Sequence, residues 1–236
     1  MTSKGEGVAG ISSMAMRLVL TELASEYRDR AGIDVAIEAV GGVDAARRVR
    51  EGEAFDFVVL AQDAIAQLAE SGHVDPTSRV DLARSGVAIA VRRGATHPDV
   101  ATEAAVRDAV LGAGTIGYST GPSGTHLVRL FERWNIADQI AQGIVRAPPG
   151  IPVAALVVRG DVDLGFQQLS ELMHAEGIDV VGPLPDAIQL VTTFTAAVCT
   201  QSNRREATRE LLAFLASPAA DAAKARHGLK DARAAA

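Results

Sequence analysis

Short apolar runs alternate with helix-patterned stretches along most of this chain, and that alternation constrains its fold more than any other feature. Val35–Val40, Phe55–Leu60, Val87–Val91, Thr115–Tyr118, Leu164–Gln167, Val180-Val181 and Gln189–Val198 read as strands. Between them, Ala45–Glu51, Asp63–Glu70, Thr102–Leu111, Thr125–Trp134 and Pro152–Val158 carry helical spacing, and Arg205–Leu215 with Pro218–His227 close the chain as helices. Strands that are apolar throughout are buried on both faces, which a sheet covered by helices provides. The rhythm predicts an α/β fold with mostly parallel sheets. With 236 residues, the chain can build one large domain or two small lobes with real cores.

Charge and composition exclude several functions. The formal net charge is −6, and no basic cluster is interleaved with aromatics, so nucleic acid is not an expected partner. Cys199 is the single cysteine. An internal disulfide is therefore impossible, and its apolar, strand-like flank predicts a buried, inert thiol. No stretch approaches the roughly 20 apolar residues of a membrane span, so no membrane insertion is expected. His73, His97, His174 and His227 are scattered without metal-ligand spacing, and neither a metal nor a cofactor is expected. Near the start, Lys4 is followed by Gly5, Glu6 and Gly7, and the apolar run Met14–Leu20 is interrupted by Arg17. That is not a secretory signal. The chain as it stands is expected in the cytoplasm, or in the periplasm if a leader has been removed, with residues 1–8 a flexible lead-in.

The stretch Gly117–Leu127 is the most suggestive for function. It places glycines and small hydroxyls where a strand ends and an amphipathic helix begins. Such a junction offers unpaired backbone N–H groups, and the helix dipole adds partial positive charge, which makes an anion-binding surface without lysine or arginine. Ser12-Ser13 and Gly150-Ile151-Pro152 read as similar junctions. Each has a plainer reading. Ser12 or Ser13 can serve as an N-cap. Of Ser123 and Thr125, one can cap the helix while Ser119, Thr120 and Ser123 face a ligand. His126, in the first helical turn, is either a partly packed surface group or a proton donor or acceptor beside a bound anion. Arg47 can reach a second carboxylate, although Arg47-Arg48 with Arg50-Glu51 reads better as a solvated face, and Asp44 as a helix cap. Gly112–Gly117 matches the dinucleotide-binding fingerprint by letters, but a helix precedes it and a strand follows, the reverse of what that fingerprint needs. Gly121-Pro122-Ser123-Gly124 lacks the spacing of a nucleophile elbow.

Five segments in order carry a family resemblance: Gly10-Ile11-Ser12-Ser13, the Gly41-Gly42 turn, Glu53–Ala61, Val157–Gln168 and Leu211–Ala219. Together they resemble the type II periplasmic binding protein fold, within it the molybdate-binding-protein-like family, and the aconitate Δ-isomerases that look like members of it. The resemblance implies two lobes, each a mostly parallel sheet flanked by helices. Lobe 1 is residues 9–85 plus 196–236 and lobe 2 residues 86–195, joined by crossover strands at Ser85–Arg93 and Gln189–Thr200. It implies a ligand in the cleft between the lobes, touched by Ser12 or Ser13, by Gly41-Gly42, by Ser119–Thr125 including Gly124, and by the Ile151 turn. Gln167-Gln168 stand where the family typically has a tyrosine. Glutamine amides hydrogen-bond carboxylates well, which moves the expected ligand from molybdate toward a small carboxylate. The resemblance thus implies a solute-binding-protein-like binder of a small anion, carboxylate or oxyanion. A monomer is expected, with an ABC permease as partner if the chain is exported. The alternative it implies is a cytoplasmic isomerase that moves a proton across an unsaturated polycarboxylate, with His126 as the candidate base.

Overall fold

A computed structural model of the chain describes residues 7–148 and 150–233. Strand β1 (Val8–Ser13) passes through one 3-10 turn at Met14–Met16 into α1 (Arg17–Ala31), followed by β2 (Val35–Val40), α2 (Gly42–Arg50), β3 (Phe57–Ala61) and α3 (Gln62–Glu70). Next come β4 (Val80–Arg92), α4 (Glu103–Gly112), β5 (Ile116–Tyr118), α5 (Pro122–Arg133), α6 (Ala137–Ile140), β6 (Ile144–Arg146), α7 (Val153–Arg159), β7 (Leu164–Gln168), α8 (Leu169–Leu172) and β8 (Ile178–Pro183). The chain ends with β9 (Val191–Val198), α9 (Arg205–Ala216), α10 (Asp221–Arg226) and β10 (Lys230–Asp231). Val8 is buried within β1, so it belongs to a strand and not to the lead-in read from the sequence; residues 1–6 of that lead-in lie outside the described residues. The order of α4 before β5 across Gly112–Gly117 is the one that rules out a dinucleotide loop there.

The chain divides into two compact units, residues 1–84 with 193–236, and residues 85–192. In the first unit β2, β1 and β3 are parallel neighbours, and β9 runs antiparallel against β3. Both faces of this sheet are covered. Phe57 and Val59 join a core with Val19, Leu20 and Leu23 of α1 and Leu211 and Leu215 of α9. The alternate residues Val58 and Leu60 pack with Ala45 and Val49 of α2 and Ile65 and Leu68 of α3. A period of two with both faces buried explains the unbroken apolar run of β3. Glycine in β1 has a packing cause: a Cβ at Gly10 would lie 2.3 Å from the Phe57 ring, so the bare Cα is what lets that ring lie on the neighbouring strand.

In the second unit β5 lies between β6 and β7, parallel to both, while β4 runs antiparallel to β7 and to β8. Val87, Ile89 and Val91 of β4 pack with Val106 and Val110 of α4 and Leu127 and Phe131 of α5. The intervening Ala88 and Ala90 face Val153 and Val157 of α7. The sheets are mixed: a parallel centre in each unit, with the long strands β4 and β9 antiparallel to it.

Candidate functional site

In open α/β sheets ligands bind beyond the carboxyl ends of the parallel strands, and each unit has such a set of ends. In the first unit the pairing sets Ser13 beside Val40 and Ser12 beside Val59, which brings the ends of β1, β2 and β3 into one row. Ser12 is 0% and Ser13 9% exposed, and neither Oγ has a hydrogen-bond partner. The N-cap reading does not hold for either. Ser12 lies within the strand, and Ser13, although it precedes the 3-10 turn, makes no capping bond. A buried hydroxyl without a partner costs about 1–3 kcal/mol, a cost that an acceptor atom of a ligand removes.

Helix α2 starts beside Ser13. Its N-cap Gly41 offers no side chain, and the first helical bond runs from Ala45 N–H to the Gly41 carbonyl. The N–H groups of Gly42, Val43 and Asp44 therefore have no intrahelical acceptor. A Cβ at Gly42 would sit at an ordinary 3.8 Å from Ser13 Cβ, and one at Gly41 would meet nothing within 4 Å. Crowding does not demand glycine at either position; what glycine provides there is uncovered backbone. A further helix start in the same row, Ala61 before α3, also lacks a side-chain cap, and sequence reasoning missed it. Arg47 reads as the solvated face expected of it, since it is exposed and bonds Asp44 and Glu51 at 2.5 Å each.

In the second unit Tyr118 pairs with Arg146 on one side and Phe166 on the other, so β5, β6 and β7 also end in a row. Helix α5 starts at Pro122, a residue suited to the first helical position, after the N-cap Gly121. The turn is folded on itself. Ser119 Oγ and Ser123 Oγ are 3.2 Å apart, and Thr125 Oγ1 donates to the Gly121 carbonyl at 3.3 Å. Gly124 makes this possible, because a Cβ there would fall 1.7 Å from the Ser119 carbonyl oxygen. The N–H groups of Ser123 and Gly124, in the first turn of α5, have no intrahelical acceptor, and Thr120 is exposed at the tip. His126 Nε2 lies 2.8 Å from the Ile188 carbonyl oxygen. A carbonyl only accepts, so Nε2 carries the proton and Nδ1 is the basic nitrogen of the neutral ring.

Two residues expected at the ligand are engaged elsewhere. Gln167 Oε1 accepts from Val153 N–H at 2.9 Å and its Nε2 donates to Glu171 at 2.7 Å, so its amide braces the start of α7, a helix with no other side-chain cap. Ile151, 39% exposed, donates its N–H to the Pro148 carbonyl at 3.0 Å. At the third junction read from the sequence, the Ile151 and Val153 N–H groups are thus bonded within the chain. Gln168 differs. Its Nε2 donates to Thr192 Oγ1 at 2.8 Å, and its Oε1 is buried without a partner. Turned over by 180°, the same amide accepts from the Thr192 hydroxyl and leaves its NH₂ as the unpartnered group.

Arg146 was not singled out by sequence reasoning. It is exposed, and its Nε makes a long 3.5 Å hydrogen bond to the Tyr118 hydroxyl, which raises its already high pKa. Cys199 is buried; desolvation, with Asp56 adding to it, pushes its thiol up to about 12, which makes it no nucleophile. Among the described residues no three His, Cys, Asp or Glu gather to hold a metal, and no helix is long and apolar enough to cross a membrane.

Comparison with known proteins bears on the fold and the family. The chain is 39% identical over 221 residues to an aconitate isomerase of a Pseudomonas species, an alignment covering 91% of this chain and 83% of that protein. Its fold resembles the periplasmic molybdate-binding protein of Azotobacter vinelandii, with a TM-score of 0.79 at 17% identity, covering 94% of this chain and 98% of that one. It also resembles the sulfate-binding protein of Mycobacterium tuberculosis, with a TM-score of 0.78 at 15% identity, covering 98% and 88%. The α/β fold is therefore that of type II periplasmic binding proteins. The sequence model of the bacterial extracellular solute-binding proteins matches residues 9–230, and the chain belongs to that family.

Proposed function

We propose that the chain binds a small unsaturated polycarboxylate and shifts its double bond, the reaction class of an aconitate isomerase. The near-full-length likeness to such an enzyme carries this reading. The chemistry at the strand ends supports it. Orphaned hydroxyls at Ser12 and Ser13, bare N–H groups at Gly41-Gly42 and the α5 start at Ser119–Thr125 are donors suited to carboxylate oxygens. Each unit by itself offers such groups at its strand ends, and in the second Gln168 adds its amide.

The allylic shift breaks one C–H bond and forms another. A base removes a proton from the methylene carbon. Those electrons form the new double bond, and the old one moves its electrons to the far carbon, which is then protonated. Nothing is oxidised. Charge spreads onto carboxylate oxygens in between, and fixed N–H and hydroxyl donors stabilise it without reorganising. His126 is the proposed base through Nδ1, its tautomer held by the Ile188 carbonyl. A positioned base of this kind contributes about 10²–10⁴-fold.

A second reading, capture of an anion for an ABC permease without turnover, is favoured by the family's character as solute-binding proteins. Proton NMR of trans-aconitate in D₂O separates the two. Turnover puts deuterium into the substrate and produces the cis isomer. His126→Gln is expected to slow this at least ~100-fold while thermal stabilisation by aconitate persists. Stabilisation without deuterium uptake leaves the receptor reading. Stabilisation by molybdate and not by aconitate sinks the carboxylate reading in both forms; a ligand at about 100 times its Kd adds ~2.7 kcal/mol, which a thermal-shift screen detects.

A further inference from the structure

We infer that Arg146 grips one carboxylate of the ligand and restricts the chain to polycarboxylates, with Tyr118 holding the guanidinium in place; this rests on the polycarboxylate reading above. N–H groups and hydroxyls serve a tetrahedral oxyanion as well as a carboxylate, so the uncharged donors at the strand ends do not tell the two apart. A planar guanidinium does, because its fork matches the two oxygens of a carboxylate. Arg47, Arg48, Arg133, Arg159 and Arg209 are each tied to a carboxylate of the chain. Arg146 has no such partner among the described residues, and it stands at the carboxyl end of β6, in register with the residue that opens the Ser119–Gly121 turn.

Its one described side-chain bond is informative. The Tyr118 ring is 4% exposed and packed against Phe131, so its hydroxyl is a fixed point. By accepting from Nε it occupies one edge of the guanidinium and leaves the two terminal nitrogens to face a ligand end-on. Accepting through its oxygen leaves the Tyr118 O–H as a further donor for the same carboxylate. Tyr118 is thus a positioning residue.

The test is a thermal-shift titration with trans-aconitate and with three dicarboxylates that each lack one of its carboxylates: mesaconate, cis-glutaconate and itaconate. Arg146→Gln is expected to weaken trans-aconitate about 10- to 100-fold, with the loss vanishing for the dicarboxylate that lacks the gripped group. Arg146→Lys keeps the charge without the fork and falls between. Tyr118→Phe keeps the packed ring and loses a few-fold. Because Arg146 is exposed, the ligand-free melting temperature of its variants stays at the wild-type value, and Tyr118→Phe supplies an independent check. Wild type that binds trans-aconitate while Arg146→Gln binds it equally well overturns this inference alone. An equal loss on all four ligands overturns it too, since that is loss of general attraction and not of one grip. Wild type that binds no polycarboxylate removes the reading underneath, and the inference with it.

Discussion

At the ends of β1, β2 and β3 the first unit leaves its donors open, whereas the ends of β5, β6 and β7 in the second unit fold most of theirs into one another. Ser12 and Ser13 are buried with nothing to bond, and Gly41 and Gly42 at the start of α2 expose backbone that crowding does not require them to expose. In the second unit Ser119 meets Ser123, Thr125 turns back on Gly121, and Gln167 reaches Val153. One row accepts a cost to folding and keeps its chemistry available; the other contributes to folding and offers the guanidinium of Arg146. Residues of the same types at equivalent strand ends therefore play different parts, and what separates them is whether each polar atom already has a partner.

That contrast can be broken at several points. The largest effect is expected for Gly124→Ala, where the new methyl falls on the Ser119 carbonyl; denaturant unfolding should show a loss of about 3 kcal/mol. A variant that melts like wild type would mean that the turn is not built as described. Gln167→Leu leaves the Val153 N–H without its acceptor and should cost about 1–3 kcal/mol in the same measurement. Ser12→Ala and Ser13→Ala sharpen the comparison most. Each should change ligand-free stability by less than about 0.5 kcal/mol or raise it, since no bond is lost, while weakening a bound carboxylate by ~10-fold. Should Ser12→Ala destabilise the free protein as much as Gln167→Leu does, the first row is framework too and the contrast collapses. The smallest effect belongs to Arg47→Ala on the solvated face of α2, within about 0.5 kcal/mol for stability and no change in affinity.

The α/β fold was legible because both faces of the inner strands are buried, which writes Phe57–Ala61 as an unbroken apolar run. Helix α5 was legible through its apolar periodicity, although its start at Pro122 lies three residues before the expected Thr125. Strand β1 was poorly legible because glycine carries no strand preference; the reason for Gly10 is the Phe57 ring, which is far away in sequence. Three-residue β6 is too short for any period, and Arg146 gains its place only through register with Tyr118. Gln167 could be read as a donor from its chemistry, but its use is set by Val153, which only the folded chain brings to it. Elements follow from local pattern, whereas the availability of a polar atom is a tertiary property.

The lone cysteine has a practical consequence. With the Cys199 side chain sealed in the first unit and its thiol held protonated at neutral pH, a maleimide or dye has nothing to attack among the native side chains. A cysteine introduced at an exposed position of each unit, such as Val43 and Thr120, therefore becomes an addressable label without first removing the native one. Paired fluorophores at those two positions then report directly, in solution, whether adding trans-aconitate changes the distance between them.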